Sequence, residues 1–172
     1  MGGSVAENEF DPLGIFTELN RQKVTFLLIG GLARVIQGAD ELTEGVDITL
    51  PLREENLRRL NLALEGLSAR PRDHRKAGLE ERIERGDQVI PFQTDRGELK
   101  VVPVPAGTQG FDDLRRRMSR EYLGHGVRVA VPSIDDLSRM VGAMGRDEDI
   151  ERLLGMRRLA ELERSLEHGL EL

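Results

Sequence analysis

The chain has no cysteine and no tryptophan, a single tyrosine, and only 3% aromatic residues. Without cysteine there is no disulfide framework, no thiolate metal site and no cysteine nucleophile. No apolar run approaches the ~20 residues that a bilayer span needs. Met1 to Asn8 lacks the basic start and the apolar stretch of a signal peptide. A cytoplasmic protein with no membrane partner is therefore expected. Lysine is scarce as well: Lys23, Lys76 and Lys100 are the only three among 25 basic residues, the rest being arginine. The 172 residues carry a formal charge of −6. The sequence pI is about 5.2 and the mean hydropathy −0.39. Such a surface is a poor non-specific nucleic-acid binder, although a local patch could still take RNA. The 38% hydrophobic and 33% charged contents are those of a globular chain long enough to bury a real core.

Residues 1–9 are small and polar and read as a disordered start. Phe10 to Gln22 reads as a helix, capped by Asp11 with Pro12 at its first position. Val24 to Ile29 is a continuous apolar run, hence a buried strand, and ends at Gly30-Gly31. A short helix follows from Leu32 to Gln37. Val46 to Leu50 is a second strand, and Arg53 to Leu67 an amphipathic helix with Leu57, Leu60, Leu64 and Leu67 on one face. Residues 69–86 read as a charged loop with a helical turn at Leu79 to Ile83. Gln88 to Thr94 and Glu98 to Val104 form a hairpin around Asp95-Arg96-Gly97, with Pro91 and Pro103 marking an edge or a bulge.

Phe111 to Arg120 reads as a basic helix and Val127 to Val131 as a strand. Ser133, with Asp136 three residues on, opens a helix that stops at Gly145. A last helix spans Asp147 to Leu166, its apolar residues being Ile150, Leu153, Leu154, Leu162 and Leu166. The pattern is α/β (or α+β), a small mixed sheet with flanking helices and a C-terminal helix pair. It divides into a core over residues 10–131 and helices over 132–172, one domain overall.

Chemistry concentrates between Leu27 and Leu50. A strand ending in Gly30-Gly31 and turning into a helix frees backbone N–H groups that attract phosphate. Arg34 follows on that helix. Alternation puts Gly45, Asp47 and Thr49 on one face of the next strand and Val46 and Ile48 on the other. An ionised Asp47 in an apolar strand calls for a cationic partner or a metal. His74, His125 and His168 have no ligand partner at metal spacing and read as solvated. Asp147-Glu148-Asp149 reads as a charged first helical turn. Arg115, Arg116, Arg117 and Arg120 form a basic cluster, read as a solvated face or as a phosphate or RNA-backbone contact.

The segments LIGGLARVIQG and LTEGVDITLP resemble the opening of the nucleotidyltransferase fold, as found in minimal nucleotidyltransferases and in toxin-type enzymes of abortive-infection systems. GELKVVPVPAGTQGFDDLRRR is similar to that family's third-carboxylate strand and the helix after it. VPSIDDLSRMVGAMGRDEDIERL resembles its C-terminal helix pair. The resemblance runs from Val24 to Leu166.

It implies metal-dependent transfer of a nucleotide from an NTP to an RNA, protein or small-molecule acceptor, with Mg²⁺ held by three carboxylates. Gly30 and Gly31 match the turn that holds the triphosphate, and Thr43 the threonine before the acidic pair. Asp47 matches the second carboxylate and is the metal ligand if there is one. Gly45 stands in place of the first and Lys100 in place of the third. A basic position on the C-terminal helix falls on Val141. One carboxylate facing an ammonium does not gather Mg²⁺, so the pattern predicts an Asp47–Lys100 ion pair where the family keeps its metals. With a bulge at Pro103, Glu98 becomes the candidate third carboxylate instead.

The resemblance thus implies a nucleotidyltransferase-like pseudoenzyme binding a nucleotide or a protein partner without turnover and needing no cofactor. An active enzyme using Mg²⁺ and NTP, or a structural or regulatory subunit, are the alternatives.

Overall fold

The computed structural model describes residues 9–73 and 77–170. His74 and Lys76, and all but the last residue of the expected disordered start, lie outside those residues.

Helix α1 (Pro12–Arg21) starts as expected: the Asp11 carboxylate accepts from the Gly14 N–H at 3.0 Å, with Pro12 in the first turn. Strand β1 is shorter than its apolar run and covers Leu27–Ile29. The preceding backbone has another partner. Asn56, buried in α3 (Glu54–Gly66), accepts from the Thr25 N–H at 2.8 Å and donates to the Thr25 and Pro51 carbonyls. A side chain thereby replaces a strand ladder.

Helix α2 (Gly30–Ile36) follows β1 without a linker, and β2 spans Gly45–Thr49. The charged stretch after α3 holds a two-residue strand, β3 (Arg70–Pro71), and α4 (Leu79–Glu84). Arg82 in α4 is 1% exposed and donates to Asp73 and Asp87. Periodicity cannot reveal a buried arginine of this kind.

The hairpin is β4 (Ile90–Thr94) and β5 (Gly97–Val101). The main sheet has the order β1-β2-β5-β4-β3. Only β2 and β5 run parallel; the other neighbours are antiparallel. Pro91 is therefore not on an edge strand. Its carbonyl accepts from the Arg72 N–H, so its nitrogen also points toward the β3 side and away from β5. The missing N–H costs the β4–β5 ladder nothing.

The basic helix is cut short. α5 covers Phe111–Leu114, a 3₁₀ turn takes Arg115–Arg117, and Ser119–Tyr122 is a strand, β6. β6 pairs antiparallel with β7 (Arg128–Val131) in a separate two-stranded sheet. Charged residues hide this strand from hydropathy reading, and its pairing partner decides the conformation.

Helix α6 (Ile134–Met144) is capped as expected, Ser133 Oγ accepting from the Asp136 N–H at 3.1 Å, and ends at Gly145 with φ +64°. α7 runs over Ile150–Leu170 after a 3₁₀ turn at Asp147–Asp149. Its buried residues are Met156 and Ala160, whereas Ile150, Leu154, Leu162 and Leu166 are exposed. The packed line of α7 thus runs through Met156 and Ala160 rather than through its exposed leucines. One core cluster joins Ile15, Phe16 and Leu19 with Val46, Ile48, Leu60, Leu99, Val101 and Met156.

Candidate functional site

Alternation along β2 buries Val46 and Ile48 completely and turns Gly45 and Asp47 to the other side. The parallel pairing sets Gly45 beside Glu98 and Asp47 beside Lys100. These four positions form a square on one face, floor of a cleft of about 540 Å³. Its near wall is the β1–α2 junction with Gly30, Gly31 and Arg34, and the loop carrying Glu41 and Thr43. Its far wall is α6, which presents Leu137, Met140 and Met144. Arg146 and Arg152 stand at the end of that wall. Val141, the position matched to a basic family residue, is buried at 2% exposure and does not line the cleft. Where a cation was expected, the α6 wall is apolar.

The expected Asp47–Lys100 ion pair does not form. Lys100 Nζ reaches along its own strand instead and lies 3.5 Å from Glu98 Oε1. Asp47 stands directly across the ladder, but its carboxylate is drawn under Gly30, and the ammonium takes Glu98, the same-face neighbour two residues back on its own strand. β5 is regular from Gly97 to Val101, and both Glu98 and Lys100 face the cleft without a bulge. Glu98 is also held by the Arg72 guanidinium. Its side chain fills the room left by Gly45: a Cβ there would lie 3.3 Å from Glu98 Cβ and from Oε1.

Asp47 tucks under the Gly30 turn. Gly30 has φ +75°, and a Cβ on it would collide with Asp47 Oδ2. Both the backbone conformation and the carboxylate require glycine at this position. Gly31 differs: its Cβ would meet only ordinary contacts at 3.6 Å, to Thr43 Cβ and Arg34 Nη2. Burial pushes the Asp47 carboxyl above its usual range, and the positive charges of Lys100 and Arg34 only partly offset this.

Arg34 is buried and already engaged. Its Nε and Nη2 donate to Glu41 at 2.6 and 3.0 Å, and Arg152 Nε lies 3.4 Å from the same carboxylate. Thr43 Oγ1 is buried with no hydrogen-bond partner. Asp149 is not a solvated first-turn acid: it is 3% exposed and accepts from Arg146 and Arg152. Glu41, Met140 and Arg152 line the cleft without a signal in residue type or spacing that marks them as site residues. Arg146 and Asp149 lie within the segment VPSIDDLSRMVGAMGRDEDIERL, whose resemblance to a C-terminal helix pair is the sequence signal for this end of the cleft. His125 and His168 are exposed and do not line the cleft. Among the described residues no group of three His, Cys, Asp or Glu side chains could hold a metal ion.

No family model matches this chain, and no curated protein matches it. Solved structures do. The antibiotic-resistance factor ANT(2'')-Ia in solution is similar with a TM-score of 0.55 and 15% identity over 92% of this chain and 91% of that one. ANT(2'')-Ia in complex with adenylyl-2''-tobramycin gives 0.53 and 15%, over 90% and 88%. TM1012 from Thermotoga maritima, assigned as a nucleotidyltransferase, gives 0.53 and 19%, over 86% and 89%. The mixed sheet with its helices is the nucleotidyltransferase fold. At these identities the likeness defines the fold alone.

Proposed function

We propose that this protein is a nucleotidyltransferase-fold pseudoenzyme whose cleft binds a nucleotide without transferring its nucleotidyl group. The observation that carries the reading is the square of Gly45, Asp47, Glu98 and Lys100 on the cleft floor. Gly45 supplies no ligand. Lys100 brings a positive charge to the register position beside Asp47, and the carboxylate of Glu98 is engaged by Arg72 and Lys100. Mg²⁺ needs several free anionic oxygens in near-octahedral array, and this donor set does not fit it. The Gly30-Gly31 turn, the orphaned Thr43 Oγ1 and Arg34 remain as groups for an anionic ligand, and the α6 wall as an apolar surface for a base. To reach Arg34 a phosphate displaces Glu41.

One observation favours the active reading instead. The Glu98 carboxylate occupies the space of the missing side chain at Gly45, so a pair formed by Asp47 and Glu98 could take over part of the metal-binding role. Incubation with labelled NTPs, Mg²⁺ and total RNA separates the two readings. The expected result is nucleotide binding by calorimetry that survives EDTA, with no label transferred. Metal-dependent transfer that disappears in Asp47→Asn overturns the reading. As a converse test, the triple variant Gly45→Asp, Glu98→Ala, Lys100→Asp rebuilds three carboxylates and clears the room Gly45→Asp requires. A gain in Mg²⁺ affinity of about tenfold or more is expected, the scale on which ligand-shell changes act.

A further inference from the structure

The β6–β7 hairpin presents a second surface, composed differently from the cleft. β7 buries Val129 and Val131 at 2% and 0% exposure, so Arg128 and Ala130 point outward. The register pairs Tyr122 with Arg128 and Arg120 with Ala130. Arg120, Tyr122 and Arg128 therefore share the outer face. Tyr122 is the chain's single tyrosine and is 62% exposed. Its hydroxyl accepts from the Gly126 N–H at 3.2 Å, which fixes the ring at the hairpin tip. Arg120 and Arg128 border a hollow of about 440 Å³ with Asn20, Phe111 and Met118. Across Thr25 and Phe111 that hollow adjoins another, lined by Arg53.

Most arginines of this chain are spent on acids: Arg34 on Glu41, Arg82 on Asp73 and Asp87, Arg146 and Arg152 on Asp149. Arg120 and Arg128 form no ion pair with any described residue, nor do Arg53, Arg70, Arg116, Arg157 and Arg158, in a chain of charge −6 with acids to spare; of these, only Arg120 and Arg128 flank the exposed tyrosine on the hairpin. Unpaired guanidiniums offer planar forks to phosphate oxygens, and a fixed, exposed ring between them offers a stacking platform. An acidic peptide would use the arginines and leave the ring idle. A duplex would keep its bases stacked away from the ring.

We infer that the outer face of the β6–β7 hairpin binds single-stranded nucleic acid, with a base stacked on Tyr122 and flanking phosphates on Arg120 and Arg128. This inference stands independently of the reading of the cleft. All three side chains are exposed, so their replacement leaves the fold intact, checked by an unchanged melting midpoint.

The test uses the full chain with fluorescein-labelled oligouridylate and oligothymidylate, followed by anisotropy at low salt. Arg120→Glu with Arg128→Glu is expected to weaken binding by well over tenfold, and Tyr122→Ala by about tenfold. With two to three phosphates neutralised, affinity falls by roughly 1.5 to 2 decades per decade of salt. Tyr122→Trp supplies the only indole, excited beyond the bases' absorption. Its emission is expected to be quenched by oligonucleotide and not by inorganic polyphosphate. Saturable binding of either oligonucleotide supports the inference. Absence of saturable binding, affinity untouched by the double arginine variant, or competition by polyglutamate equal to that of oligonucleotide with no quenching each overturns it.

Discussion

Gly30 is the point at which backbone geometry and the chemistry of the cleft meet, and it can be tested by a double-mutant cycle. Gly30→Ala meets two obstacles. The φ of +75° is left-handed, which costs a residue with a Cβ about 1–2 kcal/mol. The new methyl group also overlaps Asp47 Oδ2 and lies 3.0 Å from Asp47 Cγ and 3.1 Å from Cβ. A partly buried carboxylate must then move, at a further cost of about 1–2 kcal/mol, the usual scale for coupled neighbours. Gly30→Ala should therefore destabilise the chain by about 3 kcal/mol, or roughly 6–12 °C in melting midpoint for a protein of this size. In an Asp47→Gly background all three contacts are gone and only the backbone cost remains. Whatever glycine itself costs in β2 cancels in the cycle. The expected coupling is about 1–2 kcal/mol in urea denaturation, and Gly31→Ala serves as control, neutral or slightly stabilising because its contacts are ordinary. An equal loss from Gly30→Ala in both backgrounds would refute the claim that Asp47 is packed under the turn.

Two further outcomes follow from the same structure. Burial holds the Asp47 carboxyl above its ordinary value of 3.8. The folded state therefore keeps this proton to higher pH than the unfolded chain. The group's contribution to stability falls as pH rises through that window and remains unfavourable above it. Asp47→Asn should raise the melting midpoint at pH 7, with the gain shrinking as pH falls below the window; a midpoint unchanged at pH 7 would contradict it. On α7, Met156→Ala should cost about 2–5 kcal/mol, because Met156 is fully buried, while Leu162→Ser and Leu166→Ser should change stability by less than about 0.5 kcal/mol. Denaturant midpoints compare the three directly.

Much of the architecture is legible in the residues because local rules govern it. Asp11-Pro12 and Ser133 with Asp136 cap their helices through contacts three residues apart. The alternation of β2 assigns its two faces without reference to any other strand. The failures share a cause. β6 is a strand because Arg128–Val131 lies beside it, and β1 is short because the Thr25 backbone meets Asn56, from another element, where the facing Pro51 has no N–H to extend the ladder. Burial of Arg82 and of Asp149 depends on acids and arginines brought in by the fold.

The cleft divides in the same way. From the residues alone came the paired glycines and Asp47 as a carboxylate in an apolar strand; that positions 45 and 100 lack an acid is what the resemblance to the nucleotidyltransferase fold implies. The first two are properties of residue type and spacing, which the chain carries before it folds. The choice of partners was tertiary. Lys100 turns to Glu98 rather than Asp47 because same-face neighbours on one strand are within reach of a flexible ammonium, while Asp47 is drawn beneath Gly30. Arg34 shares the Glu41 carboxylate with Arg152 because a loop and a distant helix converge beside it. Registers, burial and competition among nearby charges exist only once the strands are paired, and so only the folded chain decides them.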